Sequence, residues 1–314
     1  MGKLLRLVAN ISLTILLVAS AASLAQQPPA ERALTIYPPT GLPVIPVMEG
    51  WYDNDDGSVT ISFGYHNRNN EGVLIVPLGE NNRIEPAEFD GGQPNFFDRG
   101  RQTGVFTITL PADRRDESVW WHIKTGENQL FKVPGRSASE AYQLDRRPRP
   151  QGSVPPLVWF DEDGERSSGP DGAVIELGKA VQVGTAVTLA VHALDPSIRD
   201  PNDPRFQESI ALRAVFAVHQ GPAAIEFERH ETTQLPEPPP VRPGRPPREP
   251  PGHDEVHLLE GSGTAQVNAT FTEPGQYLLR IQIDNFAAPE SMEADQCCWT
   301  NVYQKINVVP EPTP

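Results

Sequence analysis

Apolar and polar residues alternate along much of this chain. Val59, Ile61, Phe63 and Tyr65 alternate with Ser58, Thr60, Ser62 and Gly64. Successive strand side chains point to opposite faces, so a period of two predicts a half-buried β-strand. The cluster Asp53-Asn54-Asp55-Asp56-Gly57 just before it predicts a hairpin turn back to a strand carrying Trp51 and Tyr52. Further strands are expected at 73–77, 105–110, 119–124 and 129–133, the last two joined by Thr125-Gly126-Glu127-Asn128. Between them, 81–101 reads as a long polar loop holding Phe96 and Phe97. Six or seven short strands without a helix fit one sandwich over residues 33–136.

The second half has the same style. Val187, Leu189 and Val191 alternate with Thr188, Ala190 and His192, and Ile210, Leu212, Ala214, Phe216 and Val218 make the next alternating run. Residues 223–227 follow a Gly-Pro turn and are expected to pair back on that run. Strands are also expected at 265–271, 277–284 and 302–308. In the middle one Tyr277, Leu279, Ile281 and Ile283 face one way, and Leu278, Arg280, Gln282 and Asp284 the other. Residues 137–156 are polar and proline-bearing, with Arg146-Arg147-Pro148-Arg149-Pro150, and read as a linker. Residues 235–252 are a proline-rich insertion, expected as an extended, solvent-exposed loop.

Gly275 stands two residues before the strand-opening Tyr277, as in the corner that leads into strand F of immunoglobulin-like sandwiches. The stretch 265–284 resembles the closing hairpin of polycystic-kidney-disease (PKD) type and bacterial Ig-like domains. That resemblance covers about half of the second domain. It implies an extracellular or periplasmic module for spacing, adhesion or ligand binding, and no catalytic residue. The expected fold class is therefore all-β, two Ig-like antiparallel β-sandwich domains in tandem, at 33–136 and 157–309.

Composition narrows the setting. Lys3 and Arg6, the apolar run 7–19 and the small residues of Ser23-Leu24-Ala25 form the three parts of a cleavable signal peptide, residues 1–25. The apolar run is shorter than the roughly 20 residues of a membrane span, and no later segment is apolar enough to cross a membrane. A periplasmic or extracellular location is expected. Acidic residues number 41 against 26 basic ones; such a surface repels nucleic acid, which excludes it as a partner. Thirty-four prolines argue against a helical protein, because each removes a donor and obstructs a helix interior. The two cysteines, Cys297 and Cys298, are neighbours and cannot staple distant segments, so each core must stand on burial alone.

Candidate chemistry is sparse. Cys297-Cys298 is a disulfide candidate; a bond between neighbours would make a tight turn, and a pair of buried thiols, a crosslink between molecules and a redox or metal-thiolate role are the competing readings. His253-Asp254-Glu255-Val256-His257 resembles the H-E-x-x-H zinc string, with Asp where that string has Glu. Asp53, Asp55 and Gly57 partly match a calcium loop, and Asp161, Glu162, Asp163 and Glu165 form a second acidic cluster. No cofactor is expected, with calcium left open. Trp121 shares a face with Val119 and Ile123; Trp120 points outward with His122 and Lys124, either as a platform for a sugar ring or as a side chain covered by a loop or neighbouring domain. Trp299 beside the cysteines is a further ligand-binding candidate. No G-x-S-x-G elbow or phosphate loop is present. The leading expectation is a non-enzymatic binding or structural module with an unknown protein or glycan ligand. A carbohydrate-binding or calcium-dependent adhesion protein and a metal-dependent hydrolase on His253 and His257 are the alternatives.

Overall fold

Where the alternation is regular, the chain forms strands. The computed structural model describes residues 41–144, 152–204, 209–238, 250–285 and 298–311. The expected signal peptide, the basic middle of the expected linker, residues 239–249 of the proline-rich insertion and Cys297 lie outside the described residues. The described elements are strands apart from three one-turn 3₁₀ segments, and no described helix is long and apolar enough to cross a membrane.

The first half contains β1 (Val44–Asp53), β2 (Val59–Asn67), β3 (Leu74–Ile75), β4 (Asn82–Glu85), β5 (Phe96–Phe97), β6 (Gly100–Leu110), β7 (Val119–Ile123) and β8 (Phe131–Gly135). They form the sheets β1-β2-β6 and β4-β7-β8 and the short pair β3-β5, all antiparallel. The β1–β2 hairpin turns where Asp53–Gly57 predicts it; Gly57 has a φ of 83°, and its N–H donates to the Asn54 carbonyl at 2.9 Å. Aromatic rings join the two larger sheets. Trp121 meets Phe106 edge-on with centroids 4.9 Å apart, and Phe63 at 6.2 Å. Each such pair adds about 0.5–1.5 kcal/mol beyond the area it buries.

The expected polar loop over 81–101 is instead ordered structure containing β4 and β5, with Phe96 and Phe97 buried. Short polar side chains replace the missing ladder bonds. The buried Asn82 donates to the carbonyls of Val76 and Pro94 and accepts from the Trp121 indole at 3.0 Å. Gln93 donates to the Asn82 carbonyl and to Asp90. Buried polar groups must be paired, and here the pairing holds the segment in place.

The second half contains β9 (Leu157–Trp159), β10 (Val174–Glu176), β11 (Val181–Gln182), β12 (Ala186–Leu194), β13 (Leu212–Gln220), β14 (Ile225–Arg229), β15 (Glu255–Leu258), β16 (Ser262–Phe271), β17 (Gly275–Asp284) and β18 (Trp299–Val309). One sheet runs β10-β18-β17-β13-β15, with β11 also on β18; the other runs β14-β16-β12-β9. β10 and β11 lie parallel to β18, and the remaining pairs are antiparallel. Strand β14 pairs with β16 and not with β13, so the Gly-Pro turn crosses between sheets and does not close a hairpin within one. The corner expected at Tyr277 is present: its hydroxyl donates to the Glu273 carbonyl at 2.9 Å. Phe216, Phe271, Leu279 and Ile281 lead the core between the two sheets.

Both halves belong to one compact unit, Pro39–Pro314, because they share a face. Cross-strand register puts Arg280, Gln282 and Asp284 of β17 beside Tyr303, Asn301 and Trp299 of β18 on the side away from the core. That side reads as solvent-facing from its polarity, yet Asn301 is 0%, Asp284 1% and Gln282 9% exposed. It is covered by the outer side of sheet β1-β2-β6, where Thr60 and Ser62 are buried for the same reason. The Gly104 carbonyl of β6 accepts from Asn301 Nδ2 at 2.8 Å, Arg280 Nη1 at 3.2 Å and Gln282 Nε2 at 3.3 Å. Tyr303 donates to the Val105 carbonyl, and Asp171 accepts hydroxyls from Thr60, Thr107 and Thr109. At a second contact, Asn95 exchanges bonds with Gly221, and Phe96 of the first half enters the core of the second.

His219 belongs to this seam. Its Nε2 donates to the Gly92 carbonyl at 2.8 Å, and its ring lies edge-on to Tyr303 at 5.1 Å. Burial pushes its pKa down to about 3. The neutral ring therefore contributes stability above its unfolded value of about 6.5, and that stability is lost as the pH falls toward the folded value. The urea stability of His219→Phe is expected to gain on the unmodified protein by up to about 1.4 kcal/mol per pH unit below pH ~6.5; parallel curves in the two proteins would refute this assignment. Gly104 offers a second check. Its φ is 59°, and an added Cβ would sit 2.6 Å from the Trp299 ring. Gly104→Ala is expected to cost about 2–4 kcal/mol, from backbone strain and overpacking together, read from the urea midpoint.

Candidate functional site

With the outer side of β1-β2-β6 covered, the first half presents the outer side of β4-β7-β8. Val119, Trp121 and Ile123 of β7 point into the core, which sends Trp120 and His122 outward. Register places Arg83 and Glu85 of β4 on one flank of these two, opposite His122 and Trp120 respectively. Lys132 and Pro134 of β8 stand on the other flank, again opposite His122 and Trp120. Five residues of one sheet face thus surround a half-buried indole. The Lys132 ammonium lies 4.9 Å from the Trp120 ring centroid, a cation–π contact.

The electrostatics are local. Arg83 and Glu85 form an ion pair at 2.9 Å, which holds the Glu85 carboxyl below its usual range; the Arg83 hydrogen bond is the main cause. His122 Nε2 stands 3.2 Å from the other Glu85 oxygen. Burial nevertheless holds the imidazole pKa below its ordinary value, and the Glu85 charge opposes that shift. The face therefore carries a neutral imidazole at neutral pH, flanked by a closed ion pair and an open cation. It can stack a flat or ring-shaped ligand, donate hydrogen bonds and meet a negative charge. It offers no nucleophile paired to a base.

The other sequence candidates fall elsewhere. Trp299 is 1% exposed and lies in the seam, 6.1 Å from the Tyr52 ring. Cys298 is buried and disulfide-bonded, with a φ of 80°; Cys297 lies outside the described residues. His257 is on strand β15 and is bound to Glu255 at 2.6 Å, while His253 is in the turn before it. A strand rises about 3.3 Å per residue, so the one-turn spacing that lets two helical histidines share a zinc ion does not apply. Asp53 is engaged by Arg115 at 2.6 Å and by Gln143, and Asp56 accepts from Ser58 within the turn. Asp55, Asp161, Glu162, Asp163 and Glu165 are exposed, and no group of three His, Cys, Asp or Glu side chains that could hold a metal ion occurs among the described residues. Sequence reasoning missed the flanks of the site: Arg83 and Glu85 were assigned to a loop, and Lys132 and Pro134 have no pattern that ties them to Trp120 before register is known.

A titration isolates the His122 environment. Its proton resonances are expected to shift with a midpoint below 6.5, and Glu85→Gln is expected to lower that midpoint further, because a charge that favours the imidazolium is removed. A rise in Glu85→Gln would contradict the arrangement.

No family model matches the chain, and no curated protein matches it. Solved structures resemble it distantly. The ASH / PapD-like domain 7 of human CEP192 is 6% identical, with 55% of this chain and 98% of that one covered and a TM-score of 0.27. The D0-D1 domain of Intimin is 13% identical, with 83% and 97% covered and a TM-score of 0.21. CfaE, the adhesive subunit of CFA/I fimbria of enterotoxigenic Escherichia coli, is 9% identical, with 85% and 87% covered and a TM-score of 0.24. Similarity at this level carries no argument about what the chain binds.

Proposed function

We propose that this chain is an exported, non-enzymatic binding module that presents the outer face of β4-β7-β8 to a carbohydrate ligand. The observation that carries the reading is the half-buried Trp120 at the centre of one sheet face, ringed by Arg83, Glu85, His122, Lys132 and Pro134. An indole offers a flat apolar surface at low entropic cost, and polar groups at its rim select the orientation of what stacks there. A pyranose fits both demands, with an apolar C–H face and hydroxyls at its edge. Export rests on the Lys3–Arg6 charge, the apolar run and the small residues before Gln26. The seam is made by β6 with β17 and β18, on other strands than those that carry this face.

A glycan array followed by calorimetry on the mature chain tests the proposal. Binding to at least one oligosaccharide is expected, and Trp120→Ala is expected to weaken it by about 1–3 kcal/mol while leaving the unfolding midpoint nearly unchanged. Binding that is indifferent to Trp120→Ala moves the site elsewhere; no binding to any glycan ends the reading.

A further inference from the structure

The charge on this face runs against the rest of the chain. The whole sequence has a formal net charge of −15. Beside Trp120 and His122 the balance is reversed: register puts Arg83 and Lys132 against Glu85. Glu85 is already spent on Arg83, at 2.9 Å. Lys124 directly follows β7, is exposed, and continues the outward alternation of Trp120 and His122. Neither Lys124 nor Lys132 forms an ion pair among the described residues. One open ammonium group, that of Lys132, therefore borders the indole in an otherwise acidic protein; that of Lys124 stands four residues further along the chain.

The position of Lys132 makes this more than a local excess. Its ammonium lies 4.9 Å from the Trp120 centroid, over the surface on which a sugar would stack. A neutral sugar must displace that cation and return nothing for the lost cation–π contact. A sugar that carries an anionic group draws the ammonium to the rim and pairs with it, and so uncovers the ring by the same movement. Charge pairing and stacking are coupled for an anionic ligand and opposed for a neutral one.

Resting on the carbohydrate reading above, we propose that the ligand is an anionic saccharide, a uronate or a sulfated sugar, with its ring on Trp120 and its charge on Lys132. The probes are a uronic-acid oligosaccharide, the same oligosaccharide with its carboxyl groups reduced to alcohols, and a sulfated oligosaccharide of equal length. Calorimetry on the full mature chain is expected to show the uronate or the sulfated probe binding about tenfold or more tighter than the carboxyl-reduced one, the size of one charge-assisted bond. Added salt should narrow that gap. Lys132→Met, an exposed change checked for an unaltered circular dichroism spectrum, should bring the ratio close to one while weak neutral binding survives; Trp120→Ala should remove binding of all three. The uronate and sulfated arms tell the two anion sources apart. Equal binding of charged and reduced probes, lost in Trp120→Ala, overturns the charge assignment and leaves the carbohydrate reading standing. A preference that persists in Lys132→Met overturns it too. No binding of any probe, together with a blank glycan array, overturns both.

Discussion

The two halves are held in one orientation by the way Glu49 reaches Gly104. Glu49 is the extra residue at a bulge in β1, between Met48 and Gly50. Directly across β2, strand β6 also breaks register, between Gln102 and Phe106. Gly64 separates the two irregularities, and a side chain there would collide with the Glu49 carboxylate and with β6. Through that gap Glu49 accepts from the Gly104 N–H and from Arg101, both at 2.6 Å. Burial pushes the Glu49 carboxyl up, and these two donors oppose the shift. The bond turns the Gly104 carbonyl outward, where the second half receives it.

Three donors then compete for a carbonyl with two lone pairs. Asn301 takes the shortest bond, and Gln282 divides its amide between Gly104 and Thr103. A direction-dependent set of this kind fixes angle more than it adds stability, since each neutral bond contributes about 0.5–1.5 kcal/mol net. The apolar share comes from Phe96, whose burial in the core of the second half adds about 1.5–3 kcal/mol. Orientation and adhesion are thus supplied by different residues of the same short stretch of chain, 95–105. The consequence for function is geometric. One outer face of each sandwich is consumed by the seam, and the face that carries Trp120 is left on a support with little freedom to move.

The sequence disclosed the strands because a period of two survives wherever one face is apolar: Val59 to Tyr65 and Tyr277 to Ile283 are unambiguous. It also disclosed the corner at Tyr277, since a glycine, a turn and a strand-opening tyrosine are adjacent. It misdirected where polarity was taken as exposure. Ser62, Arg280, Gln282 and Asn301 are polar and buried, because the seam is hydrogen-bonded and no local pattern separates such a face from a solvated one. β4 and β5 were missed for a related reason. Asn82, Asp90 and Gln93 have the composition of a loop, and only their long-range partners make them a frame. Of the candidate site, Trp120 and His122 were legible from parity alone, while Arg83, Glu85 and Lys132 required the pairing of three strands.

The contrast between Trp120 and Trp299 shows what decides the role of an aromatic residue in such a fold. Both stand on strands with polar neighbours, and both were candidates for a ligand. Trp299 lies beside Gly104, where the absent Cβ leaves room for an indole and the approaching sheet covers it. Trp120 is opposed by Glu85 and Pro134 within its own sheet and keeps part of its surface exposed. An indole covered by the partner sandwich contributes apolar area to the seam. One bordered only by its own sheet keeps part of its ring in water at an unfavourable hydration cost, and a ligand that covers the ring recovers it. The same residue type thus serves stability on one face and recognition on the other, and the bulge at Glu49 decides which face is which.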